Sequence, residues 1–150
     1  MAGPWKILGL DGNQKMSKSR NNAIMLRASA DETVALIKRA KTDSERHIAY
    51  DPERRPEVAN LLLIGSLCTG QPPEAIAERI GDGGSGSLKK FVTDALNAEL
   101  APLRERRLQL ADDRQVVTDV LRRGNAEANR VADATLREAR AAMNMDYGLD

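Results

Sequence analysis

The stretch PEVANLLLIGSLCTG, Pro56 to Gly70, decides how this chain folds. Pro56 suits the first residue of a helix, where its missing N–H would have no partner in any case, and Gly70 suits the position just past the end. Between them Val58, Leu61, Leu62, Leu63 and Ile64 leave hardly any polar face, and such a helix is stable only when neighbours surround it. The pattern therefore predicts a central buried helix with amphipathic helices packed around it.

Working outward, the neighbours can be read from their spacing. Ser29 and Glu32 fit a capping box, and Val34, Ile37 and Ala40 recur at helical intervals, which predicts a helix over 30–41. The polar connection TDSERHIAYDPERRP, with Pro52 and Pro56, should run over the surface. Beyond Gly70, EAIAERI makes a two-turn helix closed by Gly81, and DGGSGS (82–87) is expected to be a flexible joint or tight turn. Leu88, Phe91, Val92, Ala95, Leu96, Leu100 and Leu103 then mark one stripe of a long helix, which Pro102 should bend or rob of one hydrogen bond. Val116, Val117, Val120, Leu121, Val131, Leu136 and Ala139 mark a last helix, within which Gly124 is expected to admit a closely crossing neighbour.

No stretch alternates apolar and polar residues well enough to predict a sheet. The expected fold class is all-α: a helical bundle of about five helices over 29–150, preceded by an irregular loop segment over 1–28. That segment is punctuated by Gly3, Pro4, Gly9, Gly12, Asn21 and Asn22, with one short extended candidate at Trp5 to Leu8.

Composition bounds the function. At 150 residues the chain is the length of one domain. No apolar run approaches the ~20 residues that span a bilayer, which argues against a membrane protein. The first ten residues lack the basic start and apolar run of a secretory signal, so a cytoplasmic location is the default expectation. Net charge is +1, so any polyanion site must be a local cluster rather than a global field. Aromatic residues make up 3%, too few for a base-stacking surface. Cys68, the single cysteine, lies in an apolar run and is expected to be a small buried hydrophobe. His47, the single histidine, reads as an ordinary surface or inter-helix residue, and no metal site is expected.

Within the loop segment stands KMSKS, Lys15 to Ser19. Two ammonium groups three residues apart on a loop can close on a phosphate chain, and hydroxyls beside them can bond its oxygens. A solvated basic loop is the competing reading.

KMSKS is also the second signature motif of class I aminoacyl-tRNA synthetases, and the text after it resembles the tryptophanyl-tRNA synthetase family. TDSERHIAYDPERRPEVANLLLIGSLCTGQ, GDGGSGSLKKFVTDALNAELAPLRERR and AEANRVADATLREAR resemble three successive segments of that family, in order, over 9–145. The resemblance implies that Lys15 and Lys18 are catalytic contacts to the ATP phosphates. Ser17 and Ser19 would help to bind ATP, and Met16 would pack the loop. It implies ATP with Mg2+ as substrate, with no tightly bound cofactor, and tRNA for tryptophan as partner. The candidate tRNA contacts are Lys89, Lys90, Arg104, Arg106, Arg107, Arg122 and Arg123, against ion-paired helix surface as the alternative.

Two departures from the family stand out. Gly84-Ser85-Gly86 occupies the place of a G-x-G-Y-G turn, so the tyrosine's contacts must be lost or refilled. No H-x-G-H motif or βαβ run precedes KMSKS, so the Rossmann half is expected to be absent, with tryptophan and ATP held by an N-terminal half supplied elsewhere. On that reading the chain is a C-terminal half comprising the loop and a helical anticodon-binding domain, inactive alone, and a homodimer is compatible with the resemblance. The alternatives are a stand-alone tRNA-binding or regulatory module that has lost catalysis, and a plain helical scaffold.

Overall fold

The computed structural model describes residues 7–145. The all-apolar stretch is helix α2, Pro56–Thr69, with Gly70 at φ 70° as its left-handed cap. Val58, Leu61 and Leu62 are almost wholly enclosed. Helix α1 (Ala30–Arg39) carries the expected capping box, Ser29 and Glu32 each bonding the other's backbone N–H. Helix α3 (Pro73–Ile80) follows, and a single 3-10 turn, Gly81–Gly83, leads into α4 (Gly84–Ala111).

The core joins Ile37 of α1 with Ile48, with Val58, Leu61, Leu62 and Ile64 of α2, Ile76 of α3, and Leu88 and Val92 of α4. Helices α2 and α4 meet where a Cβ on Gly65 would come within 2.9 Å of the Phe91 ring. Arg104 of α4 ties back to α1: its guanidinium donates to the Ala28 carbonyl at 2.8 Å, to Thr33 Oγ1 at 2.9 Å and to Asn97 Oδ1 at 2.9 Å.

A second tie lies in the polar connection. Arg55, just before α2, is 7% exposed, and its fork takes both Asp43 carboxylate oxygens at 2.7 Å while a third nitrogen bonds the His47 carbonyl at 2.7 Å. The guanidinium holds the Asp43 carboxyl below its ordinary value of 3.8, against the opposing effect of burial.

Several expectations are corrected. DGGSGS is not a loose joint: Gly84 is buried at φ 74° and residues 84–87 already belong to α4, with Ser87 Oγ donating to the Gly83 carbonyl at 2.9 Å. Pro102 lies inside α4, as expected from the sequence. Cys68 is only half-buried, and desolvation raises its thiol pKa.

The single five-helix bundle is corrected too. The chain divides into two compact units, Met1–Glu105 and Arg106–Asp150. In the second, α5 (Arg114–Ala142) buries no residue, and a Cβ on Gly124 would meet nothing within 4 Å. Its apolar residues Val117, Val120, Leu121 and Val131 are all exposed. Of the extended candidate at Trp5 to Leu8, Trp5 and Lys6 lie outside the described residues; Leu8 forms an isolated antiparallel bridge with Lys15.

Candidate functional site

KMSKS occupies the far arm of a small backbone loop. Leu8 and Lys15 pair across its base, the Gly9 N–H donates to the Gln14 carbonyl at 2.7 Å, and the Gly12 N–H to the Gly9 carbonyl at 2.9 Å. Gly12, at φ 70°, turns the chain where any side chain would strike Glu57, so only glycine fits. After Ser17 the chain makes one 3-10 turn, Lys18–Arg20, closed by Asn21 in the left-handed region.

Two buried asparagines hold this loop. Asn22 accepts the Ser17 N–H at 2.8 Å and donates to Asp11 Oδ2 at 3.0 Å and toward the Lys15 carbonyl at 3.5 Å, so one amide spans both arms. Its bond is the chief reason that the Asp11 carboxyl lies below the ordinary carboxylate value. Asn60, inside the apolar α2, accepts the Leu8 N–H at 2.8 Å and donates to the Leu8 carbonyl at 3.1 Å. An amide that bonds backbone in both directions works like a strand partner, and it pins the loop's base to the most buried helix.

Asn60→Leu should therefore leave the Leu8 N–H unpaired and cost about 1–3 kcal/mol. Urea unfolding would give the loss, and the Leu8 and Gly9 amides should exchange with deuterium faster; unchanged exchange would show that α2 does not hold the loop.

On this frame Lys15, Lys18 and Ser19 are exposed, and Met16 and Ser17 are half-buried. The Ser17 and Ser19 hydroxyls lie 2.9 Å apart. Among the described residues neither Lys15 nor Lys18 pairs with a carboxylate, so both ammonium groups face solvent uncompensated. The arrangement can grip an extended polyanion with two cations and two hydroxyls.

The other candidates are dispersed. Lys89 donates to the Lys38 carbonyl at 3.2 Å, Lys90 pairs with Asp94 at 3.1 Å, and Arg104 is taken up by the ties described above. Arg106 and Arg107 are exposed; Arg122 pairs with Asp119 at 3.4 Å, and Arg123 reaches the Asp119 carbonyl at 3.4 Å. His47 is exposed and bonds Asp82 at 2.8 Å. Sequence reasoning missed Asn22, Asn60 and the Asp43–Arg55 pair. The signal for Asn60 was present, a lone amide inside VANLLLIG.

The family model of class I tRNA synthetases (W and Y) matches residues 5–101. The chain belongs to this family. Among relatives, the tryptophan–tRNA ligase of Thermosynechococcus vestitus is 40% identical over 88% of this chain and 41% of its own length. That of Prochlorococcus marinus is 37% identical over 92% of this chain and 42% of its own. The tryptophanyl-tRNA synthetase of Mycoplasma pneumoniae superposes with a TM-score of 0.70 at 25% identity, covering 95% of this chain and 46% of that one. The Campylobacter jejuni enzyme, solved with ADP and tryptophan, gives 0.76 at 22% identity, covering 96% and 45%. The chain thus spans about two-fifths of the length of its curated relatives.

This match overturns the reading of an all-α, C-terminal helical domain set apart from a Rossmann half. The matched region belongs to the family's catalytic, Rossmann-type domain and takes in α1, α2, α3 and most of α4. Apolar periodicity shows that a segment is helical and half-buried but not which domain it belongs to; among the described residues the structure holds helices and no strand. Among the described residues no helix is long and apolar enough to cross a membrane.

Proposed function

We propose that this chain supplies the KMSKS portion of a tryptophan–tRNA ligase, which joins tryptophan to the AMP moiety of ATP and passes it to tRNA. The observation that carries the reading is the pair of uncompensated ammonium groups, Lys15 and Lys18, on a loop fixed by two buried asparagines. In the activating step a tryptophan carboxylate oxygen bonds to the α-phosphorus of ATP as the bond to the β-phosphate oxygen breaks, releasing pyrophosphate. Negative charge grows on the departing phosphates. Lys15 and Lys18 neutralise it, and the Ser17 and Ser19 hydroxyls donate to the same oxygens, with Mg2+ entering as part of the ATP substrate. Cations already in place stabilise the transition state more than bound ATP, so the chain's contribution is position and charge, without a covalent intermediate. Met16, half-buried, anchors the loop between them.

Contacts to tRNA fall to the helical part of the chain, through Lys89, Lys90, Arg106, Arg107, Arg122 and Arg123. Their neighbouring carboxylates temper phosphate affinity, and Arg104, engaged internally, serves the fold. The test is tryptophan-dependent ATP–pyrophosphate exchange by this chain alone and after mixing with the remaining portion of the Thermosynechococcus vestitus ligase. Exchange that arises only on mixing supports the reading. Exchange without the added portion, or tight binding of tryptophan tRNA with no exchange in any mixture, overturns it.

A further inference from the structure

A hollow of about 400 Å³ lies between α1 and α4, with no residue of the KMSKS loop in its walls. On α1 it is lined by Val34 and Lys38, each one position beyond a buried residue, Thr33 and Ile37. On α4 it takes in Gly86, Lys89, Lys90 and Asp94, together with Thr93, which follows the buried Val92. The hollow therefore runs beside the line along which both helices enter the core.

Its floor holds an unspent polar group. Thr33, Thr69, Thr118 and Thr135 each donate their hydroxyl to the carbonyl of the residue one helical turn back. Thr93 is only 8% exposed, yet among the described residues its hydroxyl has no partner. No fully enclosed side-chain nitrogen or oxygen goes unpaired among those residues, so the part of Thr93 still open includes this hydroxyl, and it opens onto the hollow. A ligand atom that pairs with it satisfies a group that the fold leaves unsatisfied.

Above the floor the charge is positive. Lys90 is matched by Asp94 at 3.1 Å, but among the described residues Lys38 and Lys89 have no carboxylate partner. Lys89 donates to the Lys38 carbonyl at 3.2 Å, which draws its ammonium across from α4 to α1. Val34, 45% exposed, and the lysine stems add an apolar wall. A Cβ on Gly86 would meet nothing within 4 Å, so that side of the hollow is open.

We propose that this hollow binds a small organic acid, its carboxylate on the Thr93 hydroxyl and the Lys38 and Lys89 ammonium groups and its apolar body on Val34. Bare phosphate would leave Val34 in water, and a neutral molecule would leave two cations uncompensated. An acid with an apolar body satisfies both, and the volume is that of a small-ligand site. The site shares Lys89 and Lys90 with the tRNA reading and nothing with the ATP reading. It rests on neither, and its test changes neither lysine.

The experiment is amide and methyl NMR titration of the full chain with hydrocinnamate, hydrocinnamamide, acetate and inorganic phosphate. Hydrocinnamate should give saturable shifts at the Val34 and Thr93 methyl groups and the Lys38 and Lys90 amides. Hydrocinnamamide, which lacks the charge, and acetate, which lacks the body, should each bind about tenfold more weakly or worse. Thr93→Val keeps the side-chain shape without the hydroxyl and should weaken hydrocinnamate about tenfold, the scale of a hydrogen bond to a charged group. Lys38→Gln, at an exposed position, should weaken it too and flatten its loss of affinity with salt. Unchanged circular dichroism would verify the fold of both variants. Shifts that do not saturate or that centre outside the hollow, equal affinity for hydrocinnamamide, acetate or phosphate, undiminished affinity in Thr93→Val, or an unchanged salt dependence in Lys38→Gln would each overturn the proposal.

Discussion

Alanine at Lys18 is expected to slow tryptophanyl-adenylate formation by about 100-fold in the reunited enzyme, the usual scale for removing one preorganised charge donor. Lys15→Ala should fall close behind. Both losses should appear in kcat more than in KM for ATP, because the charge that the lysines meet develops as pyrophosphate departs. The double variant should lose less than the product of the two, since both ammonium groups serve one polyanion. Lys→Arg should recover only part, because a planar fork does not reproduce a compact ammonium. Single-turnover adenylate formation measures this, and an unchanged rate in the double variant would refute a phosphate role for the loop.

The largest loss of stability is expected at Asp43→Asn, about 3 kcal/mol, because it strips the nearer counter-charge from a buried guanidinium and leaves only the exposed Glu45 carboxylate at 3.5 Å. The same pair shapes acid unfolding. Arg55 lowers the folded pKa of Asp43, so folding and ionisation favour one another. The stabilisation is fully present above the unfolded carboxyl's ordinary value of 3.8 and drains away as pH falls through the lower folded value. Urea midpoints measured from neutral pH down to the acid limb should fall steeply in the parent over that window. In Asp43→Asn they should start lower and lose that component; parallel curves would mean that the pair contributes no linkage.

How much of this was legible beforehand differs from element to element. The capping box at Ser29 and Glu32, the start of α2 at Pro56 and its end at Gly70 were readable because each depends on bonds within a few residues. The paired cations Lys15 and Lys18 could be picked out because they sit together in sequence, and both are exposed. Asn22, Asn60 and Arg55 were not, because a polar residue shows its role only through its partner, and Asn60 lies 52 residues from the Leu8 N–H that it holds. Arg104 was misleading for the same reason: a basic residue beside other basic residues looks like a nucleic-acid contact until its donors are found on the Ala28 carbonyl and on Thr33.

By itself the sequence determined the start of α1, both ends of α2, which helix is buried, and where paired cations stand together, since these follow from periodicity, turn chemistry and local charge. Only the tertiary structure decided which polar groups are spent internally and which remain available, as Arg104 and Arg55 show against Lys15 and Lys18. It also decided that α5 encloses nothing within its own unit. The physical reason is range: a helix cap closes over four residues, whereas burial, charge compensation and shared walls are set by segments that meet only after the chain has folded.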